Sequence, residues 1–315
     1  MRRHPLLAAT LLACLAACGG PRAAGDPGLE IAPFAPVAGH ALAGQITDAA
    51  LPETSGLAVS RRDPARLWAI NDGGNRPALH LLENDGRLVA SYPVRDAENI
   101  DWEDLAAFSV DGTPYLLVAD FGDNYARRET RTLYLFEEPD HARTATVRPV
   151  ATLDFAYPDG PRDAEGLAVD VAGGEILLLT KRESRPIFYR LPLRLDTPSG
   201  ALLAEPSGHF DNPEPRFGPP GSPVTRSLFG ASPTAIDLDD AGRQLLLLTY
   251  TAVYRLVREK DESWSQALER PFERLADHPL PHAEALAVAP DGKRVWFTSE
   301  RLPALLWSID PRPAP

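Results

Sequence analysis

Cysteine is scarce in this sequence. Both of its cysteines, Cys14 and Cys18, lie within the first 18 residues, and the rest of the chain has none. A disulfide framework is therefore excluded for the body of the protein. The fold must instead be stabilised by a hydrophobic core, and 315 residues with 44% hydrophobic side chains suffice to bury a large one.

Runs of basic residues and long apolar segments are also missing. The formal net charge is −12, and the Lys and Arg residues do not cluster along the chain. Because phosphate contacts require clustered cations, we predict that nucleic acid is not a partner. Beyond the N-terminal region, no segment has the apolar length that spans a bilayer.

The N-terminus has the pattern of a bacterial export signal. In MRRHPLLAATLLACLAACGG, two arginines precede an apolar stretch that ends in the small residues before Cys18. The segment Leu15–Cys18 resembles a lipobox, in which the cysteine is lipidated and becomes the first mature residue. The alternative is a plain signal peptide with an incidental cysteine. Gly19, rather than Asp, is typical of lipoproteins sent to the outer membrane. We therefore predict a cell-envelope protein anchored to the outer membrane through Cys18.

These features divide the chain into four parts. Residues 1–18 are predicted to be the lipoprotein signal peptide, ending at the lipobox cysteine, and residues 19–38 a flexible tether rich in Gly, Pro and Ala. Residues 39–311 are the predicted folded domain, and 312–315 a tail. Signal cleavage removes two arginines and no acid, so the charge of −12 becomes −14.

Five copies of one motif organise the folded domain. They are PETSGLAVS at 52, DWEDLAAFS at 101, RDAEGLAVD at 162, SPTAIDLDD at 232 and PHAEALAVA at 281. After each motif come a turn, a second apolar run and a third run with an aromatic residue or histidine. Helical periodicity is absent, so the pattern predicts an all-β chain.

Four-stranded units of about 40 to 50 residues, arranged radially, form a β-propeller. The motif count predicts five blades, and residues 200–231 leave room for a sixth. The last unit stops at Ile309 without a fourth strand, while residues 40–47 precede the first motif without a partner. We therefore predict that this N-terminal strand closes the ring by pairing with the last unit.

The segments PETSGLAVS, LWAINDGG, DWEDLA, ADFGDN, DAEGLAVD and HAEALAVA resemble an uncharacterised group of secreted bacterial β-propeller lipoproteins. That group is similar to phytase-like and TolB-like propellers, and the resemblance spans residues 40–310. It implies six blades more often than five. It is compatible with an enzyme or with a binding platform, because propellers serve as both.

The first strand of each unit is predicted to be the innermost and to line the central channel. In an antiparallel unit the start of the first strand lies beside the end of the second, so polar residues at both places should surround the mouth of that channel. The acids predicted to hold a metal there are Glu53, Asp72, Asp101, Glu103, Asp120, Asp163, Glu165, Glu284 and Glu300. The residues predicted to contact a ligand are Lys181, Arg182, Tyr250, His282 and Arg301. Crowded carboxylates favour a bound cation, and calcium accepts six to eight oxygens. Zinc is disfavoured because His282 is the one soft ligand among them.

Two functions fit this pattern. The first is a lipid-anchored propeller that binds a partner protein or small ligand over an acidic, calcium-containing mouth. The second is a calcium-dependent phosphoesterase of the phytase-like kind, with Lys181, Arg182 and Arg301 on the phosphate. Against both stands a structural interpretation, in which acids before strands merely bond neighbouring amides. Ser55 is not in a G-x-S-x-G elbow, so no catalytic residue is predicted.

Overall fold

The computed structural model describes residues 40–211 and 232–311. The predicted signal peptide with Cys18, the tether and the tail lie outside the described residues. All described residues belong to the compact unit Pro36–Pro315. None of the helical structure in the described ranges is long and apolar enough to cross a membrane.

The described chain is almost entirely β-structure. Its strands are β1 (His40–Ile46), β2 (Thr54–Val59), β3 (Arg66–Asn71), β4 (Ala78–Glu83), β5 (Leu88–Pro93), β6 (Trp102–Val110), β7 (Thr113–Asp120), β8 (Arg131–Glu137), β9 (Ala151–Ala156), β10 (Ala164–Asp170), β11 (Glu175–Thr180), β12 (Ile187–Pro192), β13 (Leu202–Leu203), β14 (Glu205–His209), β15 (Pro233–Leu238), β16 (Gln244–Thr249), β17 (Ala252–Val257), β18 (Glu273–Asp277), β19 (Ala283–Val288), β20 (Val295–Ser299) and β21 (Ala304–Ile309). One short helix, α1 (Trp264–Ala267), was not expected from the sequence, since a single turn leaves no helical periodicity.

The strands form five sheets, which are the blades of a propeller. From the inside outwards, the first blade is β2-β3-β4-β5 and the second β6-β7-β8-β9, with β13 parallel to β9. The third is β10-β11-β12-β14, the fourth β15-β16-β17-β18 and the fifth β19-β20-β21-β1. Pairing within each four-stranded blade is antiparallel.

Burial explains why the inner strands are so apolar. Strands β2, β10, β15 and β19 are buried along their whole length, because each blade packs on both of its neighbours. Outer strands such as β9 alternate between buried and exposed residues instead. The continuous apolar runs in the motifs are therefore the signature of inner strands.

The predicted closure of the ring is confirmed. Strand β1 pairs antiparallel with β21, from His40 opposite Ile309 to Ile46 opposite Ala304. The inner strands contact one another in the circular order β2, β6, β10, β15, β19 and back to β2. Because β10 contacts β15 directly, the ring has no position for a sixth blade. Residues 200–211 instead supply β13 and β14 at the outer edges of the second and third blades.

Candidate functional site at the channel mouth

One irregularity recurs in every blade. The pairing of the first and second strands shifts at the second residue of the first strand, which leaves that residue without a partner. These β-bulges place five buried polar residues around the channel, here called the bulge ring: Ser55, Glu103, Glu165, Thr234 and Glu284. A bulge re-aims a side chain, so duplication of the blade has repeated one local distortion five times.

A second regularity is a backbone hydrogen bond between the ends of the same two strands. In each blade, the backbone carbonyl of the residue before the first strand accepts this hydrogen bond. These five acceptor residues are here called the start ring: Glu53, Asp101, Asp163, Ser232 and His282. The donors form the end ring: Asp72, Gly122, Lys181, Tyr250 and Glu300. Most of the sequence-predicted residues therefore belong to these three sets of equivalent positions, while Asp120, Arg182 and Arg301 lie one or two positions along the chain from the end ring.

Lys181 neutralises one half of the bulge ring. Its Nζ lies 2.8 Å from Glu165 Oε1 and 3.8 Å from Glu284 Oε2. Burial opposes the charge of this ammonium, yet the surrounding carboxylates raise the pKa of Lys181 well above its usual value. The Tyr250 ring lies 5.2 Å from Nζ, and its hydroxyl donates to Glu284 Oε1 at 2.7 Å. Both acids on this side are thus held by specific partners.

In the opposite half of the mouth, no basic side chain of the described residues forms a salt bridge with Asp72, Asp101 or Glu103. Oxygens of Asp72, Asp101 and Glu103 lie within 4.8 Å of one another. Among the described residues, the Asp101 side chain accepts no hydrogen bond, and Asp72 accepts one from the adjacent Gly73 amide. Burial, reinforced by neighbouring acids, raises the pKa of Asp72 and that of Asp101 to about 6 each. Burial also raises the pKa of Glu103 well above its usual value.

Two glycines make room for these carboxylates. A Cβ on Gly122 would lie 2.6 Å from Asp101 Oδ2 and closer still to Glu103 Oε1. A Cβ on Gly73 would lie 2.8 Å from the carbonyl oxygen of Ile100. The sequence alone gives Gly122 no role in the predicted site. Its place in the end ring becomes visible only when the five blades are superposed in register.

Asp163 and Asp120 are held by amides and by arginine side chains. Asp163 accepts from the Asp123 amide at 2.9 Å and from Arg182 Nε. Asp120 is paired with Arg128 at 2.8 Å and accepts the amides of residues 100 and 101. These contacts fix the loops next to Asp72, Asp101 and Glu103. Asp163 still lies within 4.8 Å of Glu103 and Glu165 in a second set of oxygens.

The remaining predicted residues lie where the fifth blade meets the first. Glu53 forms an isolated bridge with Arg301, and Glu53 Oε2 accepts from Asn75 at 2.8 Å. The Arg301 side chain is 72% exposed, with Nε 3.9 Å from Glu300 Oε2. His282 is exposed and has a φ of 51°, which is uncommon for a residue with a side chain. This side forms the outer rim of the mouth.

Two acids omitted from the predicted site hold the ring together. Asp104 Oδ2 accepts the amide of Leu167 in the third blade at 2.7 Å. Asp237 Oδ2 accepts the amide of Val288 in the fifth blade at 2.8 Å. Burial raises the pKa of Asp104 well above normal and that of Asp237 to about 7. Both satisfy inner-strand amides that face the channel, so their role is structural.

A Ser, His and Glu also meet between the first and second blades, at the end away from the mouth. Ser60 donates to Glu138, and His141 Nε2 is 3.2 Å from Glu138 and 3.4 Å from Ser60 Oγ. A hydrolytic triad needs the histidine between serine and acid, with a different ring nitrogen on each. Here one nitrogen serves both and Ser60 is fully buried, so the group is a structural contact.

No family model and no curated protein sequence matches the chain, so its resemblance to secreted bacterial lipoprotein propellers stays a prediction. Among solved structures, a gluconolactonase from Xanthomonas campestris is similar with 17% identity and a TM-score of 0.46, covering 82% of this chain and 71% of that one. Hydrazine synthase from Kuenenia stuttgartiensis has 12% identity and a TM-score of 0.42, covering 78% and 68%. A luciferin-regenerating enzyme has 12% identity and a TM-score of 0.39, covering 82% and 77%. Similarities this weak carry no argument about function.

Proposed function

We propose that the channel mouth binds one calcium ion through Asp72, Asp101 and Glu103, and that the bound ion is part of a site for a ligand. The observation that carries this proposal is the convergence of three carboxylates that form no salt bridge with any basic side chain in residues 40–211 and 232–311. Two oxygens that are each about 2.4 Å from one ion are at most about 4.8 Å apart. The three side chains meet that limit.

The donor chemistry favours a hard cation. The side-chain donors of the three acids are all oxygens, which calcium prefers, while zinc sites use imidazole or thiolate. The one histidine of the rings, His282, lies exposed on the rim. The Gly122 position supports the same view, because it leaves two of the carboxylates space to turn towards one point.

A binding function is better supported than the phosphoesterase alternative. Asp72 and Asp101 are half-buried, so an ion between them can take further oxygen ligands from the channel mouth. The phosphoesterase needs Lys181, Arg182 and Arg301 on the phosphate. Lys181 is buried and paired with two acids, and Arg182 is bonded to Asp163. Arg301 alone of the three is largely exposed, so the positive electrostatic potential that would attract a polyanionic substrate is weak.

The proposed setting is the bacterial cell envelope, with the propeller lipid-anchored at Cys18 to the outer membrane. This proposal rests on the N-terminal sequence. A tether of residues 19–38 would hold the mouth within reach of a partner protein or of a small ligand near the membrane.

Isothermal titration with calcium tests the cation site. We expect wild-type protein to bind one ion, with a melting temperature that rises with calcium concentration. Asp101→Asn should weaken binding at least tenfold, because it removes a negatively charged ligand. Asp261→Asn is the matched control, since Asp261 is exposed and its φ of 64° is one that Asn also tolerates. Absence of calcium binding at millimolar concentration would overturn the proposal.

A further inference from the structure

We infer that Lys181 occupies the place of a second cation, so that the protein binds one divalent ion where its carboxylates would otherwise hold two. The inference builds on the proposed calcium site. It assigns to Lys181 a positioning role, in which a tethered ammonium decides how many ions bind and on which side of the mouth.

The first observation is where the ammonium lies. Lys181 Nζ is between Glu165 of the third blade and Glu284 of the fifth, at 2.8 and 3.8 Å. The group is buried, so its charge is there to neutralise these acids rather than to meet solvent. Glu165 also belongs, with Glu103 and Asp163, to the second set of oxygens within 4.8 Å of one another.

The second observation is that this half of the mouth has more oxygens than one ammonium uses. Glu284 Oε2 and Thr234 Oγ1 are buried, and neither has a hydrogen-bond partner among the described residues. Thr234 stands between Glu165 and Glu284 in the bulge ring. An ammonium offers three donors, whereas calcium accepts six to eight oxygens. The surroundings of Nζ are therefore richer in oxygen than a lysine requires.

The third observation is the position of Lys181 in the repeat. It occupies the same end-ring position as Asp72, which the first blade contributes to the proposed calcium site. The same position of the blade thus supplies a proposed calcium ligand, Asp72, in the first blade and a cation, Lys181, in the third. Because Lys181 neutralises Glu165 and Glu284, it confines a divalent ion to the side of Asp72, Asp101 and Glu103.

The test is to count calcium ions in Lys181→Met, which keeps an unbranched side chain one atom shorter and removes its charge. We expect two ions per chain by isothermal titration and native mass spectrometry, against one for wild type. Lys181→Arg should bind one, because the charge is retained. Lys293→Met, at an exposed lysine paired with Asp291, is the matched control and should also bind one. A double variant, Asp101→Asn with Lys181→Met, should keep the new ion and weaken the original one.

The outcomes separate this inference from the proposed function. If wild type and Lys181→Met each bind one ion, the inference is wrong and the calcium site stands. If wild type binds none and Lys181→Met binds one, Lys181 does occupy the place of a cation, but the proposed site at Asp72, Asp101 and Glu103 is wrong. If neither binds calcium, both are wrong. Should Lys181→Met fold only with calcium present, it is refolded in calcium and its ions are counted by equilibrium dialysis, with Lys181→Gln as a second variant.

Discussion

Asp104 Oδ2 accepts a hydrogen bond from the backbone amide of Leu167 at 2.7 Å and approaches the amide of Ile236 at 3.4 Å. One side chain of the second blade thereby joins the inner strands of the third and fourth. The inner edge of a propeller has amides with no strand to pair with, and an unpaired buried amide is costly. Asp104 removes this free-energy cost by accepting the amides of Leu167 and Ile236 at the centre of the ring.

Removal of this carboxylate should destabilise the whole domain. Asp104→Ala leaves the amides of Leu105, Leu167 and Ile236 without a partner, and we expect a loss of about 2–4 kcal/mol in the free energy of unfolding. Urea denaturation measures it. Asp196→Ala, at an exposed residue, should change stability by less than about 0.5 kcal/mol. Equal stability of the two variants would contradict the role of Asp104.

The second prediction concerns the strand that closes the ring, β1. Deleting residues 40–47 removes β1 and leaves β21 as an unpaired edge, and it also removes the buried Ile46. We expect a melting temperature lower by at least about 10 °C and faster proteolysis. Leu42→Ser, at an exposed position of β1, should melt close to wild type. An unchanged melting temperature after the deletion would show that β1 contributes little.

Gly122→Ala tests the shape of the calcium site. The added Cβ must displace the carboxylates of Asp101 and Glu103, so we expect calcium affinity to fall at least tenfold while the protein remains folded. Calcium titration and circular dichroism measure the two properties. Gly200→Ala is the matched control, because a Cβ there meets nothing within 4 Å. Normal affinity in Gly122→Ala would mean that an ion does not lie between these two acids.

His278 should give the protein part of its sensitivity to acid. Burial lowers the pKa of His278 from 6.5 to about 4, so the unfolded chain binds a proton between these values that the folded chain does not. Stability is therefore present above pH 6.5 and is lost as the pH falls towards 4. For this histidine alone, the loss between pH 7 and pH 4.5 is about 2 kcal/mol.

The check is His278→Phe, followed by denaturation at both pH values. The variant should be less stable than wild type at pH 7, because the contact with the Thr249 carbonyl at 3.0 Å is lost. Its further loss on acidification should be smaller than that of wild type by about 2 kcal/mol. An identical loss in both proteins would mean that His278 titrates normally.

Cys18→Ser tests the predicted lipid anchor. The serine variant cannot be acylated at this position, so it should accumulate as an uncleaved precursor or as a form released from membranes. Membrane fractionation and mass spectrometry of the mature N-terminus distinguish these states. Wild-type protein recovered without lipid and cleaved elsewhere would contradict the lipoprotein interpretation.

The sequence by itself determined the repeat, the blade order and the closure. Apolar runs such as GLAVS and GLAVD mark inner strands because both faces of such a strand are covered, and residues 40–47 had no other partner than the incomplete last unit. It also placed the acids near one mouth, because the starts and ends of neighbouring strands share a face. The number of blades remained open, since a motif count does not exclude an unrecognised unit; direct packing of β10 on β15 decided it.

The tertiary structure alone decided which acids are paired and which are not. Glu165 of the bulge ring and Asp101 of the start ring are both acids at the start of an inner strand, yet Lys181 neutralises the first, while the second accepts no hydrogen bond among the described residues. Lys181 also reaches Glu284 of another blade, 103 positions along the chain, and no local pattern encodes that distance. The structural role of Asp104 is likewise visible only in the folded ring, where its oxygens accept hydrogen bonds from strand amides of other blades. Electrostatic pairing depends on separations of a few ångströms across blades, and these are fixed only when the ring closes.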